Sequence, residues 1–182
     1  FAEGSATSAA KAFKRALELD PENQIHWANY LFALNFSAAA SPEDIYGANK
    51  AWGEKLAKTV PMLPEFTNEL TAERRLRLAH FLPELDSHVT SRFLHPILAA
   101  HNKTIFEVFL YGSRVDGAEP PANLIAAADH WIDVGDKSAA EIAALMRADQ
   151  IDIFAHPCTF KSRYREVLAH RAAPVQIACT NL

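Results

Sequence analysis

Long hydrophobic runs are missing from this sequence. No stretch approaches the roughly 20 consecutive apolar residues of a membrane-spanning helix. The start, Phe1 to Ala10, lacks a basic region followed by an apolar one, so it does not read as a secretory signal. It also lacks an initiator Met, which implies a chain that begins further upstream. Cysteine is scarce: Cys158 and Cys179 are too few for a disulfide framework and are not spaced Cys-x-x-Cys. They read as reduced thiols of a cytoplasmic protein. Glycine is scarce too, at six residues, and no Gly-x-Gly-x-x-Gly follows a strand. That excludes the usual NAD site, and the missing Gly-Lys-Ser and Gly-x-Ser-x-Gly motifs exclude a phosphate-binding loop and a serine-hydrolase elbow. The net charge of -4 is spread along the chain with no basic block, which argues against a nucleic-acid partner. The eight histidines show no His-Glu-x-x-His or comparable spacing, so no metal site is expected.

What is present is an ordinary globular composition, 49% hydrophobic and 22% charged, in 182 residues. That suits one domain with a helical attachment. Residues 1–60 read as helical. Ala9, Phe13 and Ala16 form one stripe that ends at Pro21, in the text Ala-Lys-Ala-Phe-Lys-Arg-Ala-Leu-Glu-Leu-Asp-Pro-Glu-Asn. Small residues let a neighbouring helix approach, Phe13 fills the gap, and proline stops the helix. This stretch resembles the second helix of a tetratricopeptide repeat. A second helix is expected from about Asn23 to Phe36. A third starts at Ser41, a good N-cap followed by Pro42, Glu43 and Asp44. Residues 61–74 read as a linker.

From residue 75 to 182 the pattern alternates. Strands are expected at 75–81, 106–111, 130–134, 151–155 and 174–178. Helices are expected at 88–101, 122–128, 138–147 and 161–170. This alternation predicts an α/β fold, a Rossmann-like parallel sheet with right-handed crossovers. Such sheets bind ligands beyond the carboxyl ends of their strands. The loops 82–88, 112–117, 155–161 and 179–181 are therefore the candidate functional ones. His88 starts a helix on that edge. A helix N-terminus lowers the pKa of a histidine and favours an anion, so His88 suits a neutral base, a phosphate contact or a cap. His156, Cys158, Thr159 and Lys161 share the loop after the fourth strand. Lys161 could meet a phosphate or an acceptor backbone, or lie solvated. His95, His101 and His130 read as packing or exposed residues.

Several stretches, in one order, resemble the start of the catalytic region of O-GlcNAc transferases of the SPINDLY type. They are Arg75-Leu-Arg-Leu, His88, Leu98-Ala-Ala-His-Asn, Phe106-Glu-Val-Phe-Leu-Tyr111, Ala128-Asp-His-Trp-Ile-Asp133, Ile142 to Arg147 with Ala148-Asp-Gln-Ile-Asp-Ile153, and Arg171-Ala-Ala-Pro-Val-Gln176. His26-Trp-Ala-Asn-Tyr-Leu-Phe-Ala-Leu-Asn35 resembles the helix those enzymes carry between repeats and catalytic lobe. The resemblance implies a GT-B glycosyltransferase, of which this chain is the end of a repeat region and the acceptor-side lobe, with the second lobe absent. It implies sugar transfer, usually of GlcNAc from UDP-GlcNAc, to Ser or Thr of protein acceptors without a metal or other cofactor. It places His88 as catalytic, a base or positioner near the donor phosphates and acceptor, and Lys161, with Thr159 and His156, near the acceptor. Where the family has Ser-Pro-Asp-Phe, this chain has Leu82-Pro-Glu-Leu85. Where the family has Asp-Leu-x-Gly-His/Tyr-Thr, it has Ala155-His-Pro-Cys-Thr-Phe160. Family members also transfer glucose or fucose, so the sugar stays open. A chain holding one lobe is expected to be inactive alone. The rival reading is a non-catalytic protein-interaction module.

Overall fold

A computed structural model describes residues 5–61, 63, 65–71, 73–82, 88–114, 121–157 and 162–179. They form two compact units. One comprises Phe1–Pro61 with Thr159–Ala169, the other Met62–Cys158 with His170–Leu182.

The first unit is helical: α1 (Ala6–Leu19), α2 (Gln24–Asn35), α3 (Pro42–Thr59) and α7 (Ser162–Ala169), with α4 to α6 in the other unit. Each start has a local cause. The Ser5 hydroxyl accepts from the Ser8 amide, Asn23 accepts from the Ile25 and His26 amides, and Ser41 with Asp44 forms a reciprocal capping box before Pro42. Helix α2 is apolar on nearly every side, as a central helix must be. One side packs Ala33 and Leu34 with Ala10 and Phe13 of α1. Another packs Leu31 with Trp52 and Leu56 of α3 and Ala169 of α7. The two indole N–H groups are satisfied, Trp27 by the Pro21 carbonyl at 2.9 Å and Trp52 by Gln24 at 3.1 Å.

The second unit is built on five parallel strands in the order β3-β2-β1-β4-β5. They are β1 (Leu76–Leu82), β2 (Phe106–Gly112), β3 (His130–Asp133), β4 (Ile153–Pro157) and β5 (Val175–Cys179). Its helices are α4 (His88–Ala100), α5 (Ala122–Ala127) and α6 (Ala139–Ala148). The sheet is the α/β, Rossmann-like architecture that the alternation predicts. Side-chain alternation sends Leu82, Val108 and Leu110 to a cluster with Leu94 and Leu98 of α4 and Leu124 of α5. The other face carries Phe81, Tyr111 and Phe154, all within 1% of full burial.

One boundary differs from expectation. The apolar run 151–155 suggests that β4 begins at Ile151, yet the strand spans Ile153–Pro157. Ile151 is spent closing α6. Gln150 turns with φ 51°, and the Ile151 N–H bonds the Met146 carbonyl at 3.0 Å. The described residues of the expected linker 61–74 form neither helix nor strand, but they are fastened to the sheet unit. Asn68 donates to the carbonyls of Gln150 and Ile151 and to Asp152, and Phe66 lies 3.6 Å beneath the Arg147 guanidinium.

Candidate functional site

A parallel sheet separates a structural edge from a functional one, and the charges of this chain obey that division. At the amino edge, the Asp152 carboxylate accepts from both Nη atoms of Arg74 at 2.7 and 2.6 Å, from Asn68 at 2.8 Å and from the Arg77 amide at 2.8 Å. Burial alone would raise this carboxyl, but the Arg74, Arg77 and Asn68 hydrogen bonds together hold it below its usual range. Asp129 does the same for β2 and β3, accepting from the Val108 amide, Lys103 and Arg75. His130, expected to pack or lie exposed, stacks on Phe109 at 4.3 Å and bonds Glu107 at 2.7 Å. Tyr111, buried on β2, donates to Asp149 at 2.5 Å, and burial with that bond pushes its phenol pKa up.

The carboxyl edge is built differently. Register places Leu82, Gly112 and Asp133 side by side, so the chain leaves β1, β2 and β3 at one level. There Gly112 accepts from the Val134 amide at 2.8 Å, and Asp133 Oδ1 accepts from the Gly135 amide at 3.0 Å. Arg114 Nε lies 3.3 Å from Asp133 Oδ2, with both side chains 42% exposed. A Cβ added at Gly135 would stand 3.3 Å from Asp133 Oδ1, so a larger residue here would push that carboxylate aside by a few tenths of an ångström. The sequence marks loop 112–117 as functional without singling out a residue in it. The Arg114–Asp133 pair is what the fold adds. The only advance signal was a run of polar residues directly after an apolar strand.

The site residues fall as follows. His88 is the first residue of α4 and is placed by its backbone alone. It stands at the N-terminus of the crossover helix after β1, where the backbone N–H groups and the helix dipole favour an anion. His156 does not lie in the loop past the fourth strand. It belongs to β4, is 0% exposed, and sits between the rings of Phe81 at 5.8 Å and Phe154 at 5.6 Å. The two-residue shift of β4 is the reason. Thr159, Lys161 and Cys158 lie outside the described residues. Among the described residues no three His, Cys, Asp or Glu side chains group closely enough to hold a metal ion. No helix of these residues is long and apolar enough to cross a membrane.

Comparison with known proteins identifies the family. The model of Glycosyl transferase family 41 matches residues 55–180. The probable UDP-N-acetylglucosamine--peptide N-acetylglucosaminyltransferase SPINDLY of Oryza sativa subsp. japonica is 26% identical over 172 residues, 92% of this chain and 19% of that protein. The probable transferase SEC of Arabidopsis thaliana is 28% identical over 107 residues, 58% of this chain and 11% of that protein. Among solved structures, a mutant O-GlcNAc transferase of Thermobaculum terrenum matches with a TM-score of 0.83 at 29% identity, over 95% of this chain and 34% of that one. The chain thus spans about a fifth of the length of the Oryza sativa relative. The parallel sheet with its preceding helices matches a GT-B catalytic lobe with its helical segment. The chain belongs to glycosyl transferase family 41.

Proposed function

We propose that this chain is the acceptor-side lobe of a protein O-glycosyltransferase. The complete enzyme transfers GlcNAc from UDP-GlcNAc to Ser or Thr hydroxyls of protein acceptors in the cytoplasm, without a metal or other cofactor. The family match over residues 55–180 carries this reading, because it covers the carboxyl edge and the helix that His88 opens. The plant relatives named as peptide N-acetylglucosaminyltransferases support the sugar and the acceptor class.

The chemistry needs two things from this lobe. The acceptor hydroxyl must lose a proton as it attacks the sugar, and the departing diphosphate must be stabilised as its charge grows. His88, the first residue of α4, takes or orients that proton, while the same helix end favours the phosphates. Thr159 and Lys161 act on the acceptor. His156, fully buried in β4, supports the strand that leads to them. A donor pocket that needs a second lobe leaves this chain inactive alone.

The test uses the complete gene product, a panel of UDP- and GDP-sugars and mass spectrometry of an acceptor protein. GlcNAc should appear on Ser or Thr, and His88→Ala should lower kcat/KM by roughly 10²- to 10⁴-fold with an unchanged melting temperature. Transfer of glucose or fucose instead would correct the sugar and keep the enzyme. No transfer from any donor, or a His88→Ala protein as active as its parent, would overturn the reading.

A further inference from the structure

The helical unit carries a groove of about 650 Å³ that the catalytic reading does not use. Trp27, Tyr30 and Leu34 of α2 form its floor. Helix α1 is one wall, from Thr7 to Glu18, which at 1.5 Å per residue is a run of roughly 16 Å, three helical turns. The first turns of α3 are the other wall. That wall is low, because Gly47 and Ala48 face the groove and a Cβ added at Gly47 would meet nothing within 4 Å.

Its charges are arranged unevenly. On the α1 wall Glu18 is held by Arg15, and away from the groove Lys50 is paired with Glu54 and Lys55 with Glu22. Lys11 and Lys14, one helical turn apart on the α1 wall, make no ion pair among the described residues. The opposite wall opens with Glu43 and Asp44, and the Asp44 carboxylate is already committed to the Ser41 cap. An aromatic floor asks for apolar side chains, the Lys11 and Lys14 ammonium groups on one side ask for carboxylates although Lys14 already feels Asp44 across the groove, and the acidic wall opposite repels them. A three-turn trough with small residues along one wall has the dimensions of a helix-in-groove site.

We propose that this groove docks an amphipathic polypeptide helix of a partner protein, whose apolar ridge enters between α1 and α3 and whose acidic residues lie along the α1 flank only. The uneven charge fixes the orientation of the docked helix as well as its affinity. This interaction is independent of sugar transfer and would persist in a catalytically dead protein.

The experiment displays a library of amphipathic helices of about 15 residues on phage, with a fixed leucine ridge and flanks randomised among Glu, Gln and Lys. The full 182-residue chain is the bait. Glutamate should be enriched on one flank and depleted from the other. A labelled selected peptide should then bind in a polarisation assay. Lys11→Glu with Lys14→Glu should weaken that binding roughly tenfold or more, a loss that glutamate-free peptides do not show. Gly47→Leu should plug the groove, and because leucine favours a helix over glycine by several tenths of a kcal/mol, loss of binding there cannot be ascribed to unfolding. No enrichment over empty support, flanks of random charge, binding that survives Gly47→Leu, or a groove filled by a second copy of the chain in sedimentation would each overturn the proposal.

Discussion

Two histidines far apart in sequence make acid sensitivity a measurable property of the sheet. His80 lies on β1 at 7% exposure, and its Nε2 is 2.8 Å from Nε2 of His101, just past α4. One ring donates and the other accepts, so the contact cannot survive protonation of both rings. Burial, and then the neighbouring His101, pushes the His80 pKa down to about 4. Burial, and then Lys103, lowers that of His101. In the unfolded chain a histidine titrates near 6.5. Between these values the unfolded state binds the extra proton, so the stabilising difference is complete above pH about 6.5 and shrinks as the pH falls. For His80 alone, linkage gives a loss of about 2 kcal/mol on going from about pH 7.5 to about pH 5, approaching about 3 kcal/mol below pH 4. The perturbation is His80→Leu, which puts an apolar side chain beside Leu110, its register neighbour on β2, and removes the titration. Urea unfolding followed by circular dichroism at the two pH values gives four free energies. The histidines outside this pair are common to both proteins and cancel, while His101, which loses its partner in the variant, is counted with the pair. The parent should lose about 2 kcal/mol more than the variant over this interval. An equal loss in both would show that His80 takes up its proton in the folded sheet as easily as in the unfolded chain, and the buried-pair argument would fail.

Other features give simpler expectations. Asp152→Ala removes the acceptor of Arg74, Asn68 and the Arg77 amide at once and should cost about 3 kcal/mol in urea unfolding, since one buried donor and a guanidinium lose their partner. A variant within about 0.5 kcal/mol of the parent would reduce this clasp to a surface ion pair. Tyr111→Phe, which deletes only the hydroxyl facing Asp149, should cost about 1–2 kcal/mol and leave the near-UV spectrum of the core otherwise intact. Ser138→Ala breaks the capping box with Glu141 at the start of α6 and should lower stability by about 1 kcal/mol, with hydrogen exchange faster in the first turn of α6 and unchanged in β1.

Periodicity made the alternating half of the chain legible. The segments Leu76–Leu82 and Phe106–Gly112 are buried over their last five residues because parallel strands are covered on both faces, and α6 carries its own capping box. Helix α3 was equally clear from Ser41, Pro42 and Asp44. What escaped depends on contacts between distant residues. Ile151 looks like a strand residue by composition, and only its bond to Met146 removes it from the ladder. Asp152 looks like a polar interruption, whereas its worth comes from Arg74 and Asn68, 78 and 84 residues away. For the site, the edge was predictable from topology and His88 from its place at a helix start. The loop placement of His156 failed with the strand boundary, since two residues of shift turn an expected loop residue into a core one. The pairing of Arg114 with Asp133 required knowing that β2 and β3 are neighbours.

The strand order also governs what happens while the chain is being made. β1 is the middle of the sheet, with β2 on one side and β4 on the other. On the ribosome β2 and β3 emerge soon after it, but the partner for its second edge begins only at Ile153. At roughly 5–20 residues per second, the separation of about 70 residues leaves that edge unpaired for about 4–14 seconds. During this interval an apolar strand with free N–H and C=O groups is available to any other strand in the cell. Synthesis speed across α5 and α6, and chaperone occupancy of nascent chains of that length, therefore bear on the yield of folded protein more than any substitution at the finished surface.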